Sequence, residues 1–384
     1  MIDIGLGLLA GFWNYVVVFL LILTVVVFVH ELGHFLVARW NGVRVEVFSI
    51  GFGRELFGHT ARSGTRWRVS LLPLGGYVKM FGENDGITTA DGGERPLTAE
   101  ERAVSFKHKR VGQRASIVVA GPLANFVFGI VVLAILFMTV GKPLTPPVIG
   151  LVQPDSAAAE AGLLPGDRIL RIDGEAVASF QDIQHIVRLR IGEPLALDIE
   201  REGRGIAVVA RARVTELKDN FGNIQRLPVL GIGAPAGETE IVRYGPVSGM
   251  WTAVKETGAI VSATFTALGQ MIQGTRDSEE LGGPLRIAKG AGQAAQLGLL
   301  TVVGYTVILS INLGLINLFP IPLLDGGHLA FYAVEAVRGR PLGDRAQEYG
   351  FRIGLFLVFA LMIFATRNDL VDLRVWEFFK GFFS

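Results

Sequence analysis

The chain of 384 residues is half hydrophobic and only 18% charged, against about a quarter charged in ordinary soluble domains, and its mean hydropathy is +0.45, so membrane spans are expected. A formal net charge of +1 argues against a nucleic-acid binder, which presents a basic face. With no cysteine there are no disulfides, iron–sulfur clusters or thiolate zinc sites, and any metal must be held by nitrogen and oxygen.

The first predicted element, 1–37, is a membrane span. No residue from Ile4 to Val29 is charged, which is enough to cross about 30 Å of hydrocarbon at about 1.5 Å per residue. No Lys or Arg precedes the run, and it is too long for a cleavable signal. Segment 38–114 is polar and glycine-rich. Within it Arg66 to Leu71 has strand character, followed by Pro73 and a predicted turn at Gly75-Gly76. A second span covers 115–141. Segment 147–235 is soluble in character, with short strand patterns and one or two helices. In 236–298, apolar residues recur at helical spacing from Val247 to Ile272 and are interrupted by Lys255 and Glu256. Both a core helix of the soluble domain and amphipathic helices lying on the membrane surface fit that pattern.

A third span lies in 299–328, most apolar from Leu299 to Leu323. The fourth, 350–367, has a short uncharged run, and it spans if Arg352 snorkels or the helix starts earlier. The tail 368–384, with Trp376, Phe378, Phe379, Phe382 and Phe383, reads as an interfacial anchor. The fold class expected is thus a polytopic α-helical membrane protein of about four transmembrane helices. Basic residues cluster after span 1, before span 2 and between spans 3 and 4. By the positive-inside rule 38–114 and the segment before span 4 are cytoplasmic, while both termini and 142–290 lie outside.

Chemistry concentrates at the inner end of span 1, in His30-Glu31-Leu32-Gly33-His34. Histidines four apart share one helix face, so both imidazoles reach one ion. Glu31 stands beside them, placed to take a proton from water. Ionisable groups at membrane depth are costly and usually functional. A catalytic zinc site needs a third protein ligand and an open position. Spans 2 and 4 offer no carboxylate or imidazole. The end of span 3 offers Asp325 first and His328 second, and Asp325 reads alternatively as a helix N-cap. Spans 1 and 3 run in the same direction, which places His30, His34 and Asp325 at similar depth. Pro320 and Pro322 break a regular helix, and irregular backbone at this depth lines a cavity or packs in protein. Asn317 is the polar group facing that irregular stretch. His59, His108 and His185 read as surface residues.

These residues resemble the site-2 protease family, the M50-type intramembrane zinc metalloproteases, and in particular the bacterial branch typified by the regulator-of-sigma-E protease. The resemblance runs through the His30–His34 motif, Ser49 to Gly53, Leu72 to Met80, Ala120 to Asn125, Gly282 to Ala288 and Asn317 to Gly327. It implies one Zn²⁺ held by His30, His34 and Asp325, with Glu31 as general base. It implies that Asn317, Pro320 and Pro322 hold substrate, and that 66–80, with Gly75 and Gly76, is a membrane-dipping β-loop that meets an extended substrate by strand addition.

Segment 147–235 resembles an inserted PDZ domain of the permuted bacterial kind, through Ser156 to Leu163, Pro165 to Ile169 and Ile172-Asp173-Gly174. Leu230, Gly231, Ile232 and Gly233 resemble its carboxylate-binding loop. Some relatives carry two such domains in tandem; this sequence shows one. The implied activity is intramembrane endoproteolysis in the bacterial inner membrane. Implied substrates are membrane proteins such as anti-sigma factors, signal-peptide remnants or polarity and cell-cycle proteins. Implied partners are these substrates, the bilayer and peptide C-termini, with no nucleic acid. Two other classes fit less well. A non-catalytic PDZ scaffold is at odds with the intact Glu31, and a zinc transporter would need further ligands along the spans.

Overall fold

The computed structural model describes residues 2–83, 87–88, 94–95, 97–190, 192–218, 224–235, 237, 240–274 and 282–372. The chain forms two compact units, one of 1–132 with 279–384 and the other of 133–278.

In the first unit, α1 (Ile2–Trp40) runs unbroken through the His30–His34 motif. The strands β1 (Val45–Thr60) and β2 (Arg66–Met80) follow and pair antiparallel. Ile50 pairs with both Val69 and Gly76, and Phe48 with both Trp67 and Val78. The first half of β1 thus lies between the two halves of β2, and the pair forms a curled ribbon. β1 bends at Gly51 and Gly53, both at positive φ, which glycine adopts without steric cost. An aromatic cluster docks the ribbon on the inner end of α1: Phe48 stacks on Trp67 at 4.3 Å, and Phe35 meets Trp67 edge-on at 5.0 Å.

The predicted turn at Gly75-Gly76 is corrected here, because β2 runs straight through both residues. A Cβ on Gly76 would stand 2.8 Å from the carbonyl oxygen of Ser49 and 3.0 Å from Cγ1 of Val27. The glycine lets the strand approach α1, not reverse. The short pair β3 (Ile87–Thr88) and β4 (Glu94–Arg95) comes next. It is followed by α2 (Ala99–Val104), closed by a Thr98–Glu101 capping box, and by α3 (Val111–Thr139).

The second unit holds β5 (Lys142–Leu144), β6 (Leu151–Val152), α4 (Ala157–Glu160), β7 (Arg168–Ile172), β8 (Glu175–Ala176), α5 (Phe180–Leu189), β9 (Pro194–Arg201) and β10 (Arg204–Arg211). After them come β11 (Arg213–Lys218), β12 (Ile224–Val229), β13 (Ile232–Gly233), β14 (Glu240–Val242) and α6 (Pro246–Ile272). The main sheet has the order β10-β9-β7-β8, and β13 pairs with β6. Period-two alternation on β9 buries Leu195, Leu197 and Ile199. The facing stripe of α5, Phe180, Ile183, Ile186 and Val187, completes the core with Leu163, Ile169 and Ile172. Burying one such side chain contributes roughly 1.5–3 kcal/mol.

Asp167 is buried there and accepts from both Nε and a terminal nitrogen of Arg201 at 2.7 Å and from Leu164 N–H at 2.8 Å. Burial alone would raise its carboxyl, but these donors outweigh it and hold it below the usual carboxylate range. Helix α6 buries Gly249, Ala253 and Thr257 and exposes Val247, Trp251 and Ile272.

The first unit resumes with α7 (Pro284–Gln296), α8 (Leu299–Asn317), α9 (Asp325–Arg338) and α10 (Asp344–Asp372). Among the described residues four helical segments are long and apolar enough to cross a membrane: Tyr15–Trp40, Val111–Thr139, Leu299–Asn317 and Arg345–Val371. The fourth is longer than the uncharged run suggested because its helix starts at Asp344 and carries Arg345 and Arg352 along. The expected third span, 299–328, is two elements. α8 stops at Asn317, residues 318–324 form a loop, and Asp325 opens α9. Pro320 and Pro322 supply no N–H to a helix, and Leu323 stands at φ 108°.

Helix α7, within the segment 236–298 expected to hold interfacial helices, packs against α1. Its Ala291 is fully buried with Ile22 and Val26 of α1. A Cβ on Gly283 at its head would meet the Asp369 carboxylate and the backbone of Ala365. Asp369, buried on α10, accepts from the N–H groups of Gly283, Leu285 and Arg286 at 2.8–3.1 Å and caps α7. Of the expected tail anchor, Trp376 to Phe383 lie outside the described residues.

Candidate metal centre

His30 and His34 project from one face of α1, and the head of α9 brings Asp325 to them. Nε2 of His30 lies 3.2 Å from Nε2 of His34 and 3.1 Å from Oδ2 of Asp325, and His34 Nε2 lies 3.6 Å from the same oxygen. Three donors bound at about 2.0–2.1 Å around a tetrahedral divalent ion stand about 3.3–3.4 Å apart. The observed spacings bracket that value, and two imidazoles with one carboxylate leave the fourth position open. Among the described residues this is the one cluster of three such side chains that could hold an ion.

Asp325 reaches the imidazoles because the loop before it is tightly packed. A Cβ on Gly326 would overlap the carbonyl oxygens of Phe319 and Leu318, and one on Gly327 would stand 2.5 Å from that of Ile321. Two successive glycines therefore let the head of α9 sit on the loop backbone. The N-cap position belongs to Leu324, and no side chain caps this helix; Asp325 is the first helical residue, so the capping alternative does not describe it. His328 lies one turn on and faces Phe351 at 5.4 Å between centroids. It is outside the donor cluster.

The elements behind the cluster set its geometry. Nδ1 of His34 donates to the carbonyl oxygen of Ile117 at 2.9 Å, which leaves the Nε2 lone pair available to an ion held between it and Asp325. One turn along α3, a Cβ on Gly121 would stand 2.5 Å from Cε1 of His34. A further turn along, Nδ2 of the fully buried Asn125 lies 3.3 Å from Nδ1 of His30. Helix α3 can approach because Gly33 of α1 faces Ala120 and Ala124. The supporting role of this span was not expected from its sequence, which carries no carboxylate or imidazole. The spacing Ile117, Gly121, Asn125, one turn apart each time, was the available signal.

Glu31 is half-buried between α1 and β2. A Cβ on Gly76 would stand 3.2 Å from its Cγ. Gly75 fits under the ring of Phe52. Asn317 closes α8, Pro320 is exposed and Pro322 half-buried in the loop. Pro322 packs its backbone against Gly354 of α10. In the second unit, Leu230 has its side chain in the apolar core, and its carbonyl accepts from Ala158. Gly231 stands at φ 80° against Ser156, and Ile232 and Gly233 form β13. His59, His108 and His185 are exposed.

The family model described as Peptidase family M50 matches residues 18–361. A protein of Agrobacterium fabrum (strain C58) whose name designates a zinc metalloprotease is 44% identical over 96% of this chain and 97% of its own. The regulator of sigma-E protease RseP of Salmonella typhimurium is 32% identical over 94% of this chain and 99% of its own. Among solved structures, the PDZ domain of an SdrC-like protein from Listeria innocua aligns with 23% of this chain and 92% of that one, at 21% identity and a TM-score of 0.19. A match that takes in the His30–His34 helix, the Asn125 helix and the Asp325 loop, together with relatives aligned over nearly their full length, places the chain in peptidase family M50.

Proposed function

We propose that the protein is an intramembrane zinc endopeptidase that cuts membrane-spanning segments of other proteins. The observation that carries this reading is the spacing of the three donors, His30 Nε2, His34 Nε2 and Asp325 Oδ2, beside a carboxylate that is not among them. When bound there, zinc supplies Lewis acidity toward a peptide carbonyl and toward water. Glu31 takes a proton from the attacking water and returns it to the departing amine. The close approach of Gly76 on β2, where a Cβ would stand 3.2 Å from the Glu31 Cγ, confines the carboxylate beside the donors.

The role of the ribbon follows from backbone chemistry. A membrane helix hides its carbonyls in its own hydrogen bonds and must unwind before attack. A strand edge of β2 and the irregular stretch from Asn317 through Pro320 and Pro322 replace those bonds by strand addition. Gly75 and Gly76 keep the ribbon close to Glu31.

By the positive-inside rule, the basic residues of 38–114 and 338–352 support a donor cluster toward the cytoplasmic side of a bacterial inner membrane, with 147–235 outside. That segment is a PDZ domain in this reading. The backbone of 230–233, not the core-bound Leu230 side chain, is what meets a peptide C-terminus. Substrates are membrane proteins such as anti-sigma factors, signal-peptide remnants or other regulators.

The test is Glu31→Gln in the full chain. Cleavage of a model transmembrane substrate falls at least a thousandfold (about the scale of losing a general base), while bound zinc per chain stays at the wild-type value. A fully active variant removes Glu31 from the mechanism, and a wild-type protein that binds no zinc overturns the whole reading.

A further inference from the structure

The His30 side chain has a partner that the sequence did not assign. Asn125 on α3 is fully buried, its Nδ2 lies 3.3 Å from His30 Nδ1, and its Oδ1 has no hydrogen-bond partner among the described residues. A buried amide oxygen without a donor is costly. The contact itself is chemically ordered by what His30 does on its other side. Nε2 of His30 faces Asp325 and His34. If Nε2 gives its lone pair to an ion, the neutral ring carries its proton on Nδ1. An Nδ1–H cannot accept from an amide N–H. It requires an acceptor, and a half-turn of the Asn125 amide exchanges its nitrogen and oxygen and presents Oδ1.

His34 shows the same arrangement without ambiguity, because its Nδ1 faces the carbonyl oxygen of Ile117 eight residues earlier on the same helix. The backbone of Asn125 is itself held. Its carbonyl accepts from Ser310 of α8 at 3.2 Å, and a Cβ on Gly314 would stand 3.2 Å from the Asn125 Cβ.

We infer that Asn125 is a positioning residue for the metal centre, whose amide oxygen accepts the Nδ1 proton of His30 and fixes the tautomer and ring orientation in which Nε2 binds zinc. This rests on the zinc reading above. It makes α3 the common support of both imidazoles, through a backbone carbonyl for one and a side-chain amide for the other. Outer hydrogen bonds of this kind are worth about 10–100-fold in metal affinity.

The experiment measures zinc dissociation constants of the full-length protein in detergent by chelator competition, and the visible spectrum of the cobalt(II) form. Asn125→Leu removes the acceptor at similar volume, and Asn125→Asp keeps an oxygen acceptor and removes the donor. Expected are a 10–100-fold weaker zinc affinity with an altered cobalt spectrum for Asn125→Leu, and a wild-type spectrum with affinity within about threefold or tighter for Asn125→Asp. Affinity of Asn125→Leu within threefold of wild type overturns the inference. So does an Asn125→Asp variant that loses tenfold or more, since that variant keeps the acceptor. Where the apolar variant does not fold, Asn125→Asp decides by the same limits. Wild-type protein that binds no zinc would instead sink the reading on which the inference rests.

Discussion

His34 occupies space on α3 that only Gly121 leaves open. A Cβ there would stand 2.5 Å from Cε1 of the imidazole and 2.9 Å from Cδ2. The ring cannot swing aside freely, because its Nδ1 is tied to the carbonyl oxygen of Ile117. Alanine for glycine in a helix interior favours the helix by up to about 1 kcal/mol, while forcing a methyl into a packed site costs about 1–3 kcal/mol. Gly121→Ala is therefore expected to weaken zinc binding at least tenfold with little change in helix content. Chelator competition and circular dichroism check it together, and unchanged affinity would show that the ring relocates without cost.

Much of this centre was legible in the sequence, for identifiable reasons. The donors are chemically rare residues at membrane depth, so His30, His34 and Asp325 stood out against an apolar background. Their supports did not. Gly121 and Gly326 act through the absence of a side chain, and Ile117 acts through its backbone. None of these has a reactive group to mark it, and on α3 only the one-turn spacing of Ile117, Gly121 and Asn125 pointed to them. The loop 318–324 was signalled by Pro320 and Pro322, yet its sharp end at Asn317 and the restart at Asp325 depend on contacts of Gly326 and Gly327 with carbonyls several residues back. Gly75-Gly76 was misread as a turn because dipeptide punctuation and close helix–strand approach call for the same residue. The burial of α7 was hidden because its moderately polar sequence packs through Ala291 and Gly292, not through large apolar groups.

The glycine pair after Asp325 gives the second prediction. A methyl at Gly326 meets the carbonyl oxygens of two loop residues, and backbone cannot rotate out of the way as a side chain can. Gly326→Ala moves the head of α9 and takes Asp325 from the imidazoles. Zinc content of the purified protein should fall well below one per chain, and heat stability should drop by about 1–3 kcal/mol. A variant with full zinc occupancy would show that the close approach is not what holds Asp325 in place.

Asp369 is the third. Its carboxylate satisfies three N–H groups at the head of α7 from another helix and is fully buried. Asp369→Ala strands those donors in an apolar setting, and hydrogen bonds to a charged group contribute about 1.5–3 kcal/mol. Asp369→Asn retains one acceptor oxygen and should recover part of the loss. Thermal unfolding of the two variants in one detergent provides the comparison. Equal stability of all three proteins would deny Asp369 a capping role.

The fourth concerns pH and the second unit. The Asp167 carboxyl lies below its ordinary range in the folded chain because the Arg201 guanidinium and the Leu164 N–H outweigh its burial. A carboxyl so depressed adds stability that is fully present above its unfolded value, about 3.9, and is lost as the pH falls through the folded value. Amide protection of β7 and β9 should therefore decline below about pH 4, and less steeply in Asp167→Asn, which is weaker at neutral pH by about 1.5–3 kcal/mol. Hydrogen exchange on the full chain at pH 3 to 7 measures both. Identical pH profiles for the two proteins would remove Asp167 from the acid response.

The last prediction separates Asp325 from His328, the two candidates the sequence offered for a third ligand. They lie three residues apart on α9, and both are close to the imidazoles of α1. Only Asp325 places a donor within 3.1 and 3.6 Å of them. His328 turns toward Phe351 and meets its ring at a tilt of 56°. Replacing Asp325 with Asn keeps a similar shape and one amide oxygen but removes the charge that balances a divalent ion. Replacing His328 with Ala removes a buried aromatic contact, worth about 0.5–1.5 kcal/mol beyond its area, and leaves the donors in place. Asp325→Asn should thus lose zinc at a chelator concentration that the wild type survives and show little cleavage of a model transmembrane substrate. His328→Ala should keep zinc and lose only a few degrees of thermal stability. The reverse pattern, zinc retained in Asp325→Asn and lost in His328→Ala, would transfer the third position to the histidine and break the donor set on which the proposed chemistry rests.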